Sequence, residues 1–110
     1  MNKKDTMGFL GLCRRAGKLC CGHDVVKESI VKSTAELVFL SADASERLER
    51  EMTNACTYNG KNIPIIRTSY SMADFAEAVG KGSGVFSVTD TGFAKKLHQQ
   101  FGEELDDNKI

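Results

Sequence analysis

Two glycine-and-cation stretches are where this 110-residue chain could do chemistry. The first is Arg14-Arg15-Ala16-Gly17-Lys18, followed closely by Gly22. Glycine at 22 lets a backbone approach closely, and a helix opening behind it presents free N–H groups and the positive end of its dipole. Basic residues beside such a helix start form an edge suited to phosphate. Taken alone, local chemistry favours a plainer account, in which Arg14 and Arg15 are solvated residues ending a helix whose dipole welcomes cations there. The second stretch is Gly80-Lys81-Gly82-Ser83-Gly84. It looks like a phosphate loop, but it follows a helical pattern and enters an extended one. The dinucleotide fingerprint requires the reverse order, and the P-loop spacing is missing. A surface connection that can still touch a ligand is the favoured reading.

Catalytic chemistry is poorly provided for. His23-Asp24 is the one adjacent pair of histidine and acid, and neighbours along a helix do not face each other. Asp43 and Asp90 are explained as helix caps, and Ser83 has no nucleophile motif around it. The four cysteines (Cys13, Cys20, Cys21, Cys56) show no C-x-x-C spacing, and His23 and His98 lie far apart, so no metal site is expected. Reduced, mostly buried thiols are the expectation. The chain reads as non-enzymatic, with no cofactor and no small-molecule substrate.

The elements that must position these residues follow from apolar spacing. Thr6 is placed as the cap of a first helix with Phe9, Leu10, Cys13 and Ala16 on one face and Gly17 at its end. Lys18 to Cys21 is extended. Gly22 opens a second helix, with Val26 and Ile30 inward, that ends near Ser33. Leu37-Val38-Phe39-Leu40 has the continuous apolar character of a strand buried on both faces. Asp43, with Glu46 three residues on, is placed as the cap of a third helix lined by Leu48, Met52, Ala55 and Cys56. Asn59-Gly60 stops it, and Ile63 to Ile66 forms a strand with Pro64 at its beginning. Ser71 begins a fourth helix that Gly80 ends. Val85 to Thr89 is the last strand, and Asp90 or Thr91 caps a final helix carrying Phe93, Leu97 and Phe101. Alternating strands and helices predict an α/β fold, with helices on both faces of one sheet in a three-layer α/β/α sandwich. Residues 1–102 are expected to form one domain, and 103–110 an acidic, flexible tail.

Fifteen Lys and Arg balance fifteen Asp and Glu, which excludes bulk polycation binding. The zero total hides an asymmetry: residues 1–33 carry seven basic groups against three acids, and residues 34–110 carry eight against twelve. Such a bias points a polyanion toward the N-terminal third. No apolar run approaches the roughly eighteen residues needed to span a bilayer. Met1 to Arg15 lacks the long apolar region and cleavage site of a signal peptide. A cytoplasmic protein without membrane contact is expected.

Several stretches carry a family resemblance. Leu10-Gly11-Leu12-Cys13-Arg14-Arg15-Ala16-Gly17-Lys18 followed by Gly22 resembles the opening of the small bacterial YlxQ-type branch of the L-seven-Ae family of ribosomal and kink-turn RNA-binding proteins. The likeness continues at Leu37 to Ser45, at Val79-Gly80-Lys81 and at Val88 to Lys95. The resemblance implies an α/β/α sandwich with a four-stranded mixed sheet. It also implies a grip on sharply bent RNA through the start of the second helix and nearby loops, in association with the ribosome or its assembly, with ribosomal proteins as further partners. Carried over by position, Gly17, Lys18 and Gly22 match the RNA edge. Arg14, Arg15, Lys18 and Lys32 would contact phosphates. His23, Asp24 and Lys27 are the nearest base-reading candidates, and Lys81, Gly82 and Ser83 would close the other side. The chain departs from the pattern of the binders after Gly22: Asp24, Val25 and Glu28 stand where Asn or Lys, Glu or Gln, and Lys are usual. Contact through phosphates and RNA shape is then expected in place of full base readout. The alternative function is a protein–protein interaction module on the same fold without RNA binding.

Overall fold

A computed structural model describes residues 2–107. The elements in order are α1 (Lys3–Arg15), β1 (Leu19–Cys21), α2 (His23–Val31), β2 (Leu37–Leu40), α3 (Glu46–Thr57), a 3-10 turn (Tyr58–Gly60), β3 (Ile65–Arg67), α4 (Met72–Val79), β4 (Val85–Val88) and α5 (Thr91–Asp107). The strands form one sheet in the order β1-β4-β2-β3. β4 runs antiparallel to both β1 and β2, while β2 and β3 are parallel, so the sheet is mixed.

The period-2 rule for strands divides the core. From β2, Leu37 and Phe39 face one side, together with Phe86 and Val88 of β4. There they meet Leu10 and Cys13 of α1, Phe75 and Val79 of α4, and Leu97 and Phe101 of α5. Val38 and Leu40 face the other side with Val85, against Val26 and Ile30 of α2 and Met52 and Cys56 of α3. The result is three helices on one face and two on the other, an α/β/α sandwich. Phe39 anchors the larger half: its ring lies 5.1 Å from Phe86, 5.0 Å from Phe101 and 5.6 Å from Phe75. Pairs at such separations add about 0.5–1.5 kcal/mol each beyond burial. A polar contact crosses the other half, Ser29 Oγ to Ser87 Oγ at 2.8 Å, which joins two buried hydroxyls.

Element ends differ from the sequence expectation in four places, each for a local reason. Asn2, not Thr6, caps α1, its side chain accepting from the Asp5 N–H at 2.9 Å. Thr6 is instead buried inside the helix, donating to the Asn2 carbonyl and to Glu104 Oε1. Ser45, not Asp43, caps α3, while Asp43 reaches across space to accept from Met72 N–H at the first turn of α4. β3 begins after Pro64, which has no N–H to give; its carbonyl accepts from Val38. Finally, α5 continues through Asp107, so residues 103–107 are helical and the expected tail does not start at 103. Glu104 explains the extension, since Thr6 and Gln100 both donate to it at 2.9 Å and tie this turn to α1. The rest of the expected tail, 108–110, lies outside the described residues. Among the described residues, no helix is long and apolar enough to cross a membrane.

Candidate nucleic-acid interface

Gly22 joins β1 to α2 with φ 98° and ψ 160°, a region that is essentially glycine's alone. It pairs with the neighbouring strand, its N–H donating to the Val85 carbonyl at 3.0 Å. Having no side chain, it offers no cap to the first turn of α2. The amides at this helix start therefore face outward with the positive end of the helix dipole behind them.

The loop ahead of β4 forms the opposite wall. A Cβ on Gly22 would sit 3.8 Å from Ser83 Oγ, which puts residue 83 in contact range of the helix opening. The loop is held there at its β4 end. Ser41 Oγ donates to the Ser83 carbonyl at 2.7 Å, and the Ser41 N–H donates to the Gly84 carbonyl at 3.0 Å. Gly82 passes so close to α4 that a Cβ would lie 3.1 Å from the Met72 carbonyl oxygen. The glycines of this loop thus serve close packing, and leave Lys81 exposed at its rim.

Two cations border the site on the α1 side. Arg14 donates from Nη1 to the Val79 carbonyl at the end of α4, beside Gly80. Burial pushes the Cys21 thiol up, and the charges of Arg14 and Lys81 partly offset that rise. On the other side, against the expectation that helix neighbours do not face each other, His23 meets Asp24 in the exposed first turn of α2 and stands between two carboxylates: Nδ1 is 2.8 Å from Asp24 Oδ1 and Nε2 is 2.6 Å from Glu51 Oε2. These hydrogen bonds, Asp24's first and then Glu51's, raise the histidine above its ordinary value. Glu51 is lowered in turn by His23 and by Lys27, whose Nζ lies 3.3 Å away. With His23 protonated the charges of this cluster cancel; with it neutral the carboxylates predominate.

The structure sets Gly22 beside Ser83 of the 80–84 loop, joins His23 to Asp24 and, through Glu51, to Lys27, and holds Arg14 against Val79 and Gly80, next along the chain to Lys81 and Gly82. It does not bring the remaining candidates to the same place. The Lys18 carbonyl accepts from Thr89, at the opposite end of β1 from Gly22. Four extended residues carry the chain about 13 Å between them. Gly17 turns the chain beside Lys18 with φ 73°, and exposed Arg15 folds back along α1 toward Gly11. Lys32 caps the far end of α2 and pairs with Glu28 at 2.6 Å. Glu51 had no sequence signal as a site residue: it lies 28 positions from His23 and meets it through the packing of α3 against α2. Among the described residues no three His, Cys, Asp or Glu side chains gather to hold a metal, and the four cysteines are free.

Known proteins resemble this arrangement along most of its length. Residues 4–98 match the ribosomal protein L7Ae/L30e/S12e/Gadd45 family. The chain is 34% identical over 98 residues to the RNA-binding protein YlxQ of Enterococcus faecium, covering 89% of this chain and 92% of that one. It is 36% identical over 98 residues to the RNA-binding protein YlxQ of Bacillus subtilis (strain 168), covering 88% and 95%. A solved structure of a protein of unknown function from Bacillus halodurans superposes with a TM-score of 0.78 at 28% identity, over 88% of this chain and 96% of that one. The fold is also shared, at a TM-score of 0.68 and 17% identity, with a Giardia lamblia 15.5kD RNA binding protein, over 88% of this chain and 84% of that one.

Proposed function

The chain belongs to the ribosomal protein L7Ae/L30e/S12e/Gadd45 family, and on that premise we infer that it is a cytoplasmic, non-enzymatic RNA-binding protein. The observation that carries the reading is the 34–36% identity, over nearly nine-tenths of the chain, to two relatives named RNA-binding proteins. The geometry supports it: an uncapped helix start opened by Gly22 faces a pinned glycine loop that carries exposed Lys81 and is met at its α4 end by Arg14. Backbone amides and cations of this kind bind phosphate oxygens and set register without reading sequence.

The RNA we assign is structured and kink-turn-like, met in association with the ribosome or its assembly. Readout at the helix start is limited by what stands there. Val25, in the first turn of α2, is half-exposed and has no side-chain donor or acceptor. Asp24 is almost wholly exposed and repels phosphate unless a base edge donates to it. Phosphate and shape contacts therefore dominate, with His23 and Lys27 as the polar groups closest to the bases.

Ultraviolet crosslinking in cells, followed by sequencing of the RNA and mass spectrometry of the peptide, tests the assignment. Crosslinks within residues 19–31 and 79–86, to ribosomal or other structured RNA, are expected. Protein partners with no enriched RNA would support the interaction-module alternative.

A further inference from the structure

Beside the helix start, a groove of about 410 Å³ runs between α2 and α3. Its floor is apolar, made by Ile30 and Val31 of α2 and Ala55 of α3. Tyr58, on the 3-10 turn after α3, lines the groove and is 74% exposed. Val31 is 67% exposed. The cations Lys27 and Lys61 both line the groove, as does Asn54 of α3. Lys61 is steadied by donating to Ser33 Oγ at 2.5 Å.

We propose that this groove is a second RNA subsite, in which Tyr58 stacks a nucleobase of a single-stranded segment continuing from the α2 opening. The proposal rests on the RNA-binding reading and extends it to a surface outside the helix start. Continuity argues for a nucleic acid: Lys27 and Glu51 belong both to the groove and to the His23 cluster beside Gly22, so one strand could run from one site into the other. Length agrees, because α2 from His23 to Val31 spans about 12 Å, the rise of about three stacked nucleotides. The chemistry agrees as well. An exposed ring takes the face of any base, an amide offers a donor and an acceptor to its edge, and flanking lysines suit the phosphates. Glu51 is the opposing charge. Its carboxylate is engaged by His23 and Lys27 at the helix-start end of the groove.

The test uses protein with isotope-labelled tyrosine and two kinds of RNA. Tyr58 and Tyr70 are the two tyrosines of the chain, and Tyr70 is buried, so their ring signals separate surface from core. Tetra-adenylate should shift the Tyr58 ring signals saturably and leave those of Tyr70 in place. A kink-turn duplex carrying a tetra-adenylate extension at one end or the other should bind about tenfold more tightly than the blunt duplex, a gain of the size expected for one stacked base. Tyr58→Phe should retain that gain, Tyr58→Ala should lose it, and all three proteins should bind the blunt duplex alike. An extension that adds nothing at either end, or a gain that survives Tyr58→Ala, would overturn the proposal. Tyr58 signals that move with protein concentration alone would overturn it too, by assigning the groove to a second copy of the chain. Binding of tetra-adenylate at Tyr58 without binding of the blunt duplex would instead remove the helix-start reading and leave the groove standing.

Discussion

Replacing Gly22 by alanine isolates what the helix opening costs the fold. The added methyl makes only an ordinary van der Waals contact, 3.8 Å from Ser83 Oγ, so no steric clash contributes. The penalty comes from the backbone alone, since φ 98° with ψ 160° is a region other residues enter at about 1–3 kcal/mol. Alanine also narrows the unfolded ensemble, which offsets about 0.4–1 kcal/mol of that. A net loss of about 1–2 kcal/mol should follow, lowering the melting temperature by about 4–8 °C in a domain of this size. Gly8 supplies the control. It lies inside α1, exposed, with nothing within 4 Å of a Cβ, so Gly8→Ala should stabilise the helix by about 1 kcal/mol and raise the melting temperature. Thermal melts by circular dichroism on the two variants read opposite signs from the same chemical change. If Gly22→Ala is neutral, or stabilises as Gly8→Ala does, the chain does not enter α2 through this strained conformation, and the pairing of Gly22 with the Ser83 loop loses its basis.

Three further outcomes follow from the same geometry. Because Val25 brings no hydrogen-bonding group to the helix start, a kink-turn should be preferred over the same RNA with its G·A pairs replaced by less than a hundredfold, about 2.7 kcal/mol; competition titrations showing more would refute phosphate-dominated binding. His23 is raised by Asp24 and Glu51, so its protonated form favours the folded state. Its contribution is full below the ordinary value of 6.5 and is lost as pH rises through the raised one. The urea midpoint of the parent should therefore exceed that of His23→Gln more at about pH 6 than at about pH 8.5, and a gap that widened with pH would contradict the ion pairs. Burial pushes the Cys13 thiol up to about 12 and the Cys56 thiol up to about 11. Both should be alkylated far more slowly in the folded protein than after unfolding; equal rates in the two states would place them at the surface.

Much of the fold was legible because local rules and tertiary packing agree. The run Leu37-Val38-Phe39-Leu40 reads as a strand with two buried faces, and its alternate residues do enter opposite halves of the core. Asn59-Gly60 and Gly80 read as stops, and Asn59, Gly60 and Gly80 all take positive φ. Reading failed where a side chain is used across space. Asp43 has the spacing of a cap for its own helix, yet Ser45 stands closer to that helix and frees Asp43 for the amide of Met72. The site shows the same limit. Gly17, Lys18 and Gly22 form one cluster along the chain, but β1 is extended and carries its ends apart, while α2 does the same to Lys27 and Lys32. Conversely, Gly22 meets Ser83, and His23 meets Glu51, because β1 pairs with β4 and α2 packs on α3. Contacts of that kind follow from strand order, which no local spacing encodes.

The central claim is that the opening of α2 and the Lys81 loop form one RNA edge, and the salt dependence of binding tests it most directly. Three double charge reversals remove equal charge from different places: Lys27→Glu with Lys81→Glu at the helix opening, Lys18→Glu with Lys32→Glu at the far ends of β1 and α2, and Lys4→Glu with Lys95→Glu on the helices of the other face. All six lysines are exposed, so circular dichroism should show folded proteins throughout. If the first pair contacts about two phosphates, its reversal should flatten the slope of log affinity against log salt by roughly 1.5–2 units. The other two pairs should lower affinity modestly through the long-range field and keep most of the slope. A slope lost equally from all three variants, or lost from the second and kept in the first, would contradict the assignment of the RNA edge to this opening.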